Sequence, residues 1–187
     1  MINKITALFV LLTALVTVPV QAQTIGLESK TTPTGTSRLG NIYVEEVSEK
    51  THAGLFAWGL ADTGGFGEIY IGPTWYPRKW VELQVGAGIE NHPGFWRVGT
   101  GVFLNGHLGS ATILWETGVT GYWYKVAYSH HVAGKVSLGV FSRRFAGTGP
   151  IIEVKASKSY TIWVTAGPDL QDHNRMKAVV GMNITPK

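Results

Sequence analysis

The sequence contains no cysteine among its 187 residues. This absence excludes disulfide bonds, thiolate catalysis and cysteine-ligated metal sites. Charged residues make up only 15% of the chain, whereas about 25% is typical of soluble domains. The formal charge of +4 is not gathered into a basic run or a basic–aromatic stripe, so we expect no nucleic-acid partner. The histidines show no metal-ligand spacing and no phosphate-binding loop is present, so we predict neither a metal site nor a cofactor.

The first 22 residues have the pattern of an export signal. Lys4 gives a basic start, residues 5–18 are mostly apolar, and small residues follow up to Ala22. The apolar run is shorter than the roughly 20 residues of a membrane-spanning helix, and no later segment is apolar enough for one. We therefore predict a signal peptide over residues 1–22, and any membrane contact must come from strands.

The rest of the chain carries strand patterns. In the stretch KWVELQVGAGIE, Val81, Leu83 and Val85 fall on one side of an extended chain, and Glu82 and Gln84 fall on the other. Similar segments recur to the end of the chain and are separated by turns rich in Gly, Pro, Asn, Asp and Ser. We predict ten strands, at 54–61, 67–76, 79–90, 95–105, 108–118, 121–130, 134–145, 149–156, 159–166 and 175–184.

These strands predict an all-β fold, an antiparallel up-and-down transmembrane β-barrel of about ten strands. Eight and twelve strands are the alternatives. We assign the barrel to residues 53–187. Residues 23–52 are polar and rich in turn formers, so we predict a flexible periplasmic arm there.

The two faces of the predicted strands differ in composition. One face carries aliphatic residues in the middle of the strands and aromatic residues towards their ends, as in barrels with aromatic girdles at two membrane interfaces. The other face mixes isolated charges with glycines and large rings, which suits a crowded interior where a ring covers a neighbouring glycine. We therefore expect the apolar face to meet lipid and the polar face to line a lumen.

Three phrases summarise the pattern: IYIGPTWYP, VELQVGAGIE and WRVGTGVFLNG. With the predicted signal and the alternating strands, they resemble small bacterial outer-membrane β-barrel proteins over residues 54–184. The resemblance implies a location in the bacterial cell outer membrane and contact with outer-membrane lipid and lipopolysaccharide. It implies no particular activity, and no sequence feature defines an oligomeric state.

Charged residues of the polar face are expected near the outer mouth of the barrel, with Lys125 slightly deeper. They are Glu68, Glu90, Arg97, Glu116, Lys125, Arg143, Glu153 and Lys177. Glu82 is expected towards the periplasmic half. This ring of charges predicts either structural ion pairs or a constriction for small polar solutes. Inward rings, namely Trp80, Trp123, Phe103, Phe141 and Trp163, leave a small bore.

Three functions are compatible with this pattern. The first is a non-enzymatic membrane protein, either structural or a narrow channel for small polar solutes or ions. The second is a lipid-modifying outer-membrane hydrolase, for which Ser129, His130 and His131 are the best candidates. Adjacent strand residues point to opposite faces, and no carboxylate is placed to orient either histidine, so we predict no catalytic residues. The third is a soluble exported barrel that binds an apolar ligand.

Overall fold

The computed structural model describes residues 22–185, which form twelve antiparallel strands closed into one barrel. Each strand pairs with its neighbours in the chain, and β1 also pairs with β12, where Leu27 lies opposite Met182. The strands are β1 (Ala22–Thr32), β2 (Gly35–Ser48), β3 (Ala53–Asp62), β4 (Gly67–Arg78), β5 (Val81–Glu90), β6 (Trp96–Gly106), β7 (Gly109–Gly118), β8 (Gly121–Ala133), β9 (Val136–Arg143), β10 (Gly147–Lys155), β11 (Tyr160–Asp169) and β12 (Arg175–Ile184). This is an up-and-down barrel with no free sheet edge.

The strand number corrects one prediction. The all-β, antiparallel barrel is confirmed, but it has twelve strands, which was an alternative, rather than ten. The ten predicted strands correspond to β3–β12. The two additional strands lie in the segment predicted as a flexible arm, so the prediction of an arm over 23–52 and of a barrel that begins at 53 is wrong.

The physical reason lies in pairing rather than in local pattern. Residues 23–40 contain many Gly, Ser and Thr residues and few apolar ones, so their alternation is weak. Their backbone groups are nevertheless paired on both sides, because β1 joins β12 to β2, and β2 continues to β3. Closure removes two unpaired edges that an open sheet would expose. Residues 1–21, which hold most of the predicted signal peptide, lie outside the described residues.

Short turns connect the strands at two ends of the barrel. The turns after even-numbered strands share one end with Ala22 and Ile184, which we call the terminal end; the turns after odd-numbered strands lie at the opposite end. The turn from β3 to β4 illustrates their construction, since Gly65 has φ 87° and Asp62 accepts a hydrogen bond from the Phe66 amide at 3.1 Å. Over residues 22–185, no helix is long and apolar enough to cross a membrane.

The outer surface of the barrel is apolar. Ile71, Val85 and Val140 are 63%, 54% and 60% exposed, whereas Tyr70 and Gln84, on the alternate positions, are buried. Outward rings lie mostly towards strand ends: Trp75, Trp96, Trp115, Tyr122, Tyr128 and Tyr160. The predicted assignment of the two strand faces is therefore confirmed.

Two rings near the starts of predicted strands are exceptions: alternation places Trp80 of strand 79–90 and Phe95 of strand 95–105 on the inward face. Trp80 and Phe95 lie in turns and are more than half exposed. The strand alternation was extended one residue too far into each turn, so their inward placement is wrong.

Inward rings pack against glycines. A Cβ added at Gly99 would lie 3.2 Å from Cε1 of Tyr70, and one added at Gly86 would lie 2.8 Å from Cζ of Phe56. Trp163 covers Gly181 in the same way. The predicted combination of glycine and aromatic rings in the interior is confirmed, and it sets the position of the Tyr70 hydroxyl.

Candidate functional site

Four of the eight predicted charged residues meet at one point of the lumen near the opposite end. The guanidinium of Arg97 lies 3.0 Å from Glu68 Oε2, 2.7 Å from Glu90 Oε2 and 3.3 Å from Glu116 Oε2. Glu68 pairs directly with Glu90 across β4 and β5, and strand alternation turns all four side chains inward. We call these four residues the Arg97 cluster.

Two hydroxyl groups hold the guanidinium in place. The Tyr70 hydroxyl accepts a hydrogen bond from Arg97 Nε at 2.7 Å and donates to Glu116 Oε2 at 3.0 Å. The Thr120 hydroxyl accepts from Arg97 Nη1 at 2.8 Å and donates to Glu90 Oε2 at 2.7 Å. Each hydroxyl therefore connects the base to one carboxylate, which restricts the orientation of the Arg97 side chain.

The Arg97 cluster contains more acidic than basic side chains. Three carboxylates surround one guanidinium, and all four side chains are at most 8% exposed. Oε1 of Glu90 is buried and has no hydrogen-bond partner among the described residues. A buried charge without full compensation costs several kcal/mol. The single base therefore does not balance the three carboxyl groups of the cluster.

Two of the remaining predicted bases, Arg143 and Lys177, are on the other side of the lumen. Arg143 Nη1 lies 2.6 Å from Glu28 Oε2. Lys177 Nζ lies 2.7 Å from Asp169 Oδ2 and 3.0 Å from Asp172 Oδ2. The hydrogen bond from Lys177 holds the pKa of Asp172, in the turn before β12, below its ordinary value. These bases pair with acids that were not among the predicted residues.

Two predicted residues are not in any ion pair within the described chain. Lys125 and Glu153 instead line a cavity of about 180 Å³. We expected Glu153 near the outer mouth of the barrel with the other charges, but it does not lie at the opposite end with the Arg97 cluster. It pairs with Ser137 near the terminal end of β9 and lies two residues from the end of β10. The predicted ring of eight charges is therefore divided into separate groups.

A larger cavity of about 290 Å³ lies in the lumen. Most of its lining residues belong to β2–β8. Its wall includes the rings of Tyr43, Phe56, Trp58, Tyr70 and Phe103. Thr112, Lys125 and Asn183 line both cavities. Lys125 therefore lies at the boundary between the two cavities of the lumen.

The sequence analysis missed a second polar group, towards the terminal end. The Tyr43 hydroxyl lies 2.6 Å from Glu45 Oε2 and 3.0 Å from Glu82 Oε1. The Tyr76 hydroxyl donates to Glu45 at 2.8 Å, and the Gln84 amide donates to Glu82 and to the Tyr43 hydroxyl. We call these five residues the Tyr43 cluster. Glu82 is in the terminal half of β5, as predicted.

Most of the missed residues belong to β1 and β2. Glu28, Lys30 and Glu45 were in the predicted arm, and Asp169 was assigned to the turn before β12. A signal for β1 was present, because two threonine-rich stretches flank Pro33, which is typical of strands joined by a turn. Glu28 and Lys30 are then two residues apart and share one strand face.

Within residues 22–185, neither a histidine nor a carboxylate is hydrogen-bonded to the candidate nucleophile Ser129. Ser129 is buried, and its hydroxyl forms a hydrogen bond with the hydroxyl of Ser110 at 3.0 Å. His130 and His131 are exposed near the terminal end of β8. No group of three His, Asp or Glu side chains able to hold a metal is found in the part of the chain that the structure describes.

Comparison with known proteins gives a structural but not a sequence relationship. No protein-family model matches the chain, and no curated protein matches it. A structure of KdgM porin in complex with disordered oligogalacturonate is similar at a TM-score of 0.57 and 10% identity, over 86% of this chain and 98% of that one. NanC porin is similar at 0.52 and 8% identity, over 89% and 100%. The chain therefore has the closed-barrel fold of the small porins.

Proposed function

We propose that the chain is a channel of the bacterial outer membrane that admits small polar solutes or ions and has no enzymatic activity. One observation carries the proposal: the closed barrel exposes apolar side chains outward and encloses charged side chains and open cavities. A soluble barrel would have the opposite arrangement, with apolar residues inside. The porin structures with the same fold support this function.

The outer surface supports outer-membrane lipid and lipopolysaccharide as partners. Exposed aliphatic side chains form the middle of this surface, and aromatic rings lie towards both ends, as in membrane-spanning barrels. Arg143 and Arg144 point to different sides, since Arg143 pairs with Glu28 in the lumen. Arg144 stacks on the Tyr122 and Phe145 rings at 4.1 and 4.5 Å at the opposite end. Arg144 is therefore the candidate for contact with lipid phosphate.

The interior supports passage of small solutes only. Phe141 and Trp163 stack at 5.8 Å and fill one side of the lumen, and the two cavities meet beside Lys125. The oligogalacturonate of the KdgM complex carries negative charge and is not the solute we expect here, because acidic side chains outnumber basic ones in this lumen.

Conductance of the purified protein tests the proposal. Folded protein added to a planar lipid bilayer should produce discrete current steps, and boiled protein should produce none. Thr112→Trp should lower the size of each step, because residue 112 faces both cavities. Ile113→Trp is the matched control, since residue 113 faces outward and is half exposed, and its steps should match those of the wild type.

Two results would contradict the channel. One is the absence of current steps from protein that is inserted and folded, which would favour a structural role for the barrel. The other is equal conductance in Thr112→Trp and Ile113→Trp, which would mean that current does not pass through the lumen.

A further inference from the structure

The lumen holds an excess of acidic side chains. Within the described strands, nine acidic and five basic side chains face inward and are buried or half-buried. The acids are Glu28, Glu45, Asp62, Glu68, Glu82, Glu90, Glu116, Glu153 and Asp169; the bases are Lys30, Arg97, Lys125, Arg143 and Lys177. The excess of four carboxylates is opposite in sign to the formal charge of the whole chain, which is +4.

The excess is concentrated on one side of the barrel. The wall formed by β2–β7 carries six of the nine acids but only one base, Arg97. The remaining strands carry three acids and four bases. A solute in the lumen is therefore exposed to a negative wall along the larger cavity, which Glu82 and Glu116 line directly.

The Tyr43 cluster adds two carboxylates that no base balances. Between residues 22 and 185, no Lys, Arg or His side chain lies within ion-pair distance of Glu45 or Glu82. Their partners are the neutral Tyr43, Tyr76 and Gln84 side chains. Neutral donors stabilise a carboxylate but do not cancel its charge at a distance.

The Arg97 cluster supplies an independent observation. Glu90 is 3% exposed, and its Oε1 atom is buried without a hydrogen-bond partner among the described residues. Since the cluster also has two carboxylates more than it has bases, this oxygen is a position where positive charge from solution would be stabilised.

We propose that the lumen selects cations over anions, with mobile cations supplying the positive charge that its side chains lack. This inference rests on the proposed channel function and specifies the class of solute that passes. Rings of acidic side chains select cations in other pores, and one sign of charge in a cleft with low-dielectric walls produces potentials of several kT. Potentials of that size predict that K⁺ permeates about tenfold faster than Cl⁻.

The reversal potential tests this selectivity. Conductance is first recorded in symmetric KCl, which establishes the channel by itself. The same bilayer is then given a KCl gradient. The expected reversal potential has the sign of a K⁺-selective channel. A reversal potential of zero or of the opposite sign in a conducting bilayer would overturn the selectivity but leave the channel. Absence of conductance would overturn both.

Variants assign the effect to the lumen. Glu45→Gln combined with Glu82→Gln keeps side-chain size and should reduce the ratio of K⁺ to Cl⁻ permeability several-fold. Glu46→Gln is the matched control, because Glu46 is next to Glu45 in the chain but is exposed on the outward face. It should leave the ratio unchanged. Equal permeability ratios in the double variant and the control would contradict the assignment to these carboxylates. If the double variant does not fold, the reversal potential of the wild type still decides whether the lumen selects cations.

Discussion

The ion pair between Arg143 and Glu28 crosses the lumen. Arg143 is on β9 and Glu28 is on β1, strands that are not neighbours in the barrel, yet their side chains approach to 2.6 Å. Lys125 is close enough to both members of this pair to interact with them electrostatically, and Lys30 is close enough to interact with Arg143. The pair therefore joins β9, which was predicted, to β1, which the sequence analysis assigned to an arm.

Removing either member of this pair should have unequal effects. Glu28→Gln leaves Arg143 buried among other bases and should lower the free energy of unfolding by about 3 kcal/mol, a typical cost of breaking a buried ion pair. Arg143→Gln should cost less, because Lys125 still compensates Glu28. Urea unfolding in lipid vesicles measures both values. A larger loss for Arg143→Gln than for Glu28→Gln would contradict this account of the lumen charges.

The Tyr70 hydroxyl should stabilise the Arg97 cluster. Tyr70→Phe removes the acceptor of Arg97 Nε and the donor to Glu116. Losing one partner of buried polar groups costs about 1–3 kcal/mol, and we expect that loss in the free energy of unfolding. Tyr160→Phe is the control, because the Tyr160 ring is exposed on the outer surface, and it should change stability little. Equal stability of the two variants would mean that the hydroxyl is not required.

The outward position of Val85 predicts sensitivity to charge. Val85 is in the middle of β5 and is 54% exposed. If this surface meets lipid, Val85→Arg should cost about 2–4 kcal/mol, as for arginine near the bilayer midplane of other barrels. Val85→Leu keeps the apolar character and should have a small effect. Unfolding of both variants from vesicles provides the comparison, and tolerance of the arginine would contradict a lipid-facing surface.

Cross-linking tests the closure of the barrel by β1. The chain has no cysteine, so Leu27→Cys with Met182→Cys creates a single possible disulfide between directly paired residues of β1 and β12. Directly paired strand residues have Cα separations that suit a disulfide. We expect rapid oxidation of the folded protein, detected by its altered mobility on a gel. Leu27→Cys with Val85→Cys, on strands that are not paired, should remain reduced.

If the Leu27 and Met182 positions do not cross-link in folded protein, residues 23–48 do not close the barrel, and the flexible arm predicted from the sequence would be correct after all.

Much of the fold could be predicted from period-two alternation alone. The pattern in KWVELQVGAGIE and its neighbours identified β3–β12, their turns and the side that most of their residues face. It failed for β1 and β2 because their alternation is weak, and their pairing with β12 and β3 depends on contacts far apart in the chain. The Arg97 cluster could be predicted in part, since Glu68, Glu90 and Glu116 precede or follow turns at the same end.

The balance of charge in the lumen could not be predicted. The eight predicted residues include four acids and four bases, which indicated a neutral set of ion pairs. Glu28 and Glu45 belong to the unrecognised strands, and Asp169 lay in a segment assigned to a turn. Their inclusion changes the lumen from neutral to acidic, and this change is the basis of the expected cation selectivity.

Electrophoresis of isolated outer membranes tests the central claim most directly. The protein is run in detergent with and without boiling, beside the soluble periplasmic fraction. A lipid-facing barrel predicts a band in the outer-membrane fraction whose mobility shifts on boiling, because the folded barrel resists the detergent. A protein that is found only in the soluble fraction and shows no shift would contradict the account, and the exposed apolar face of β5 would then need a different partner from lipid.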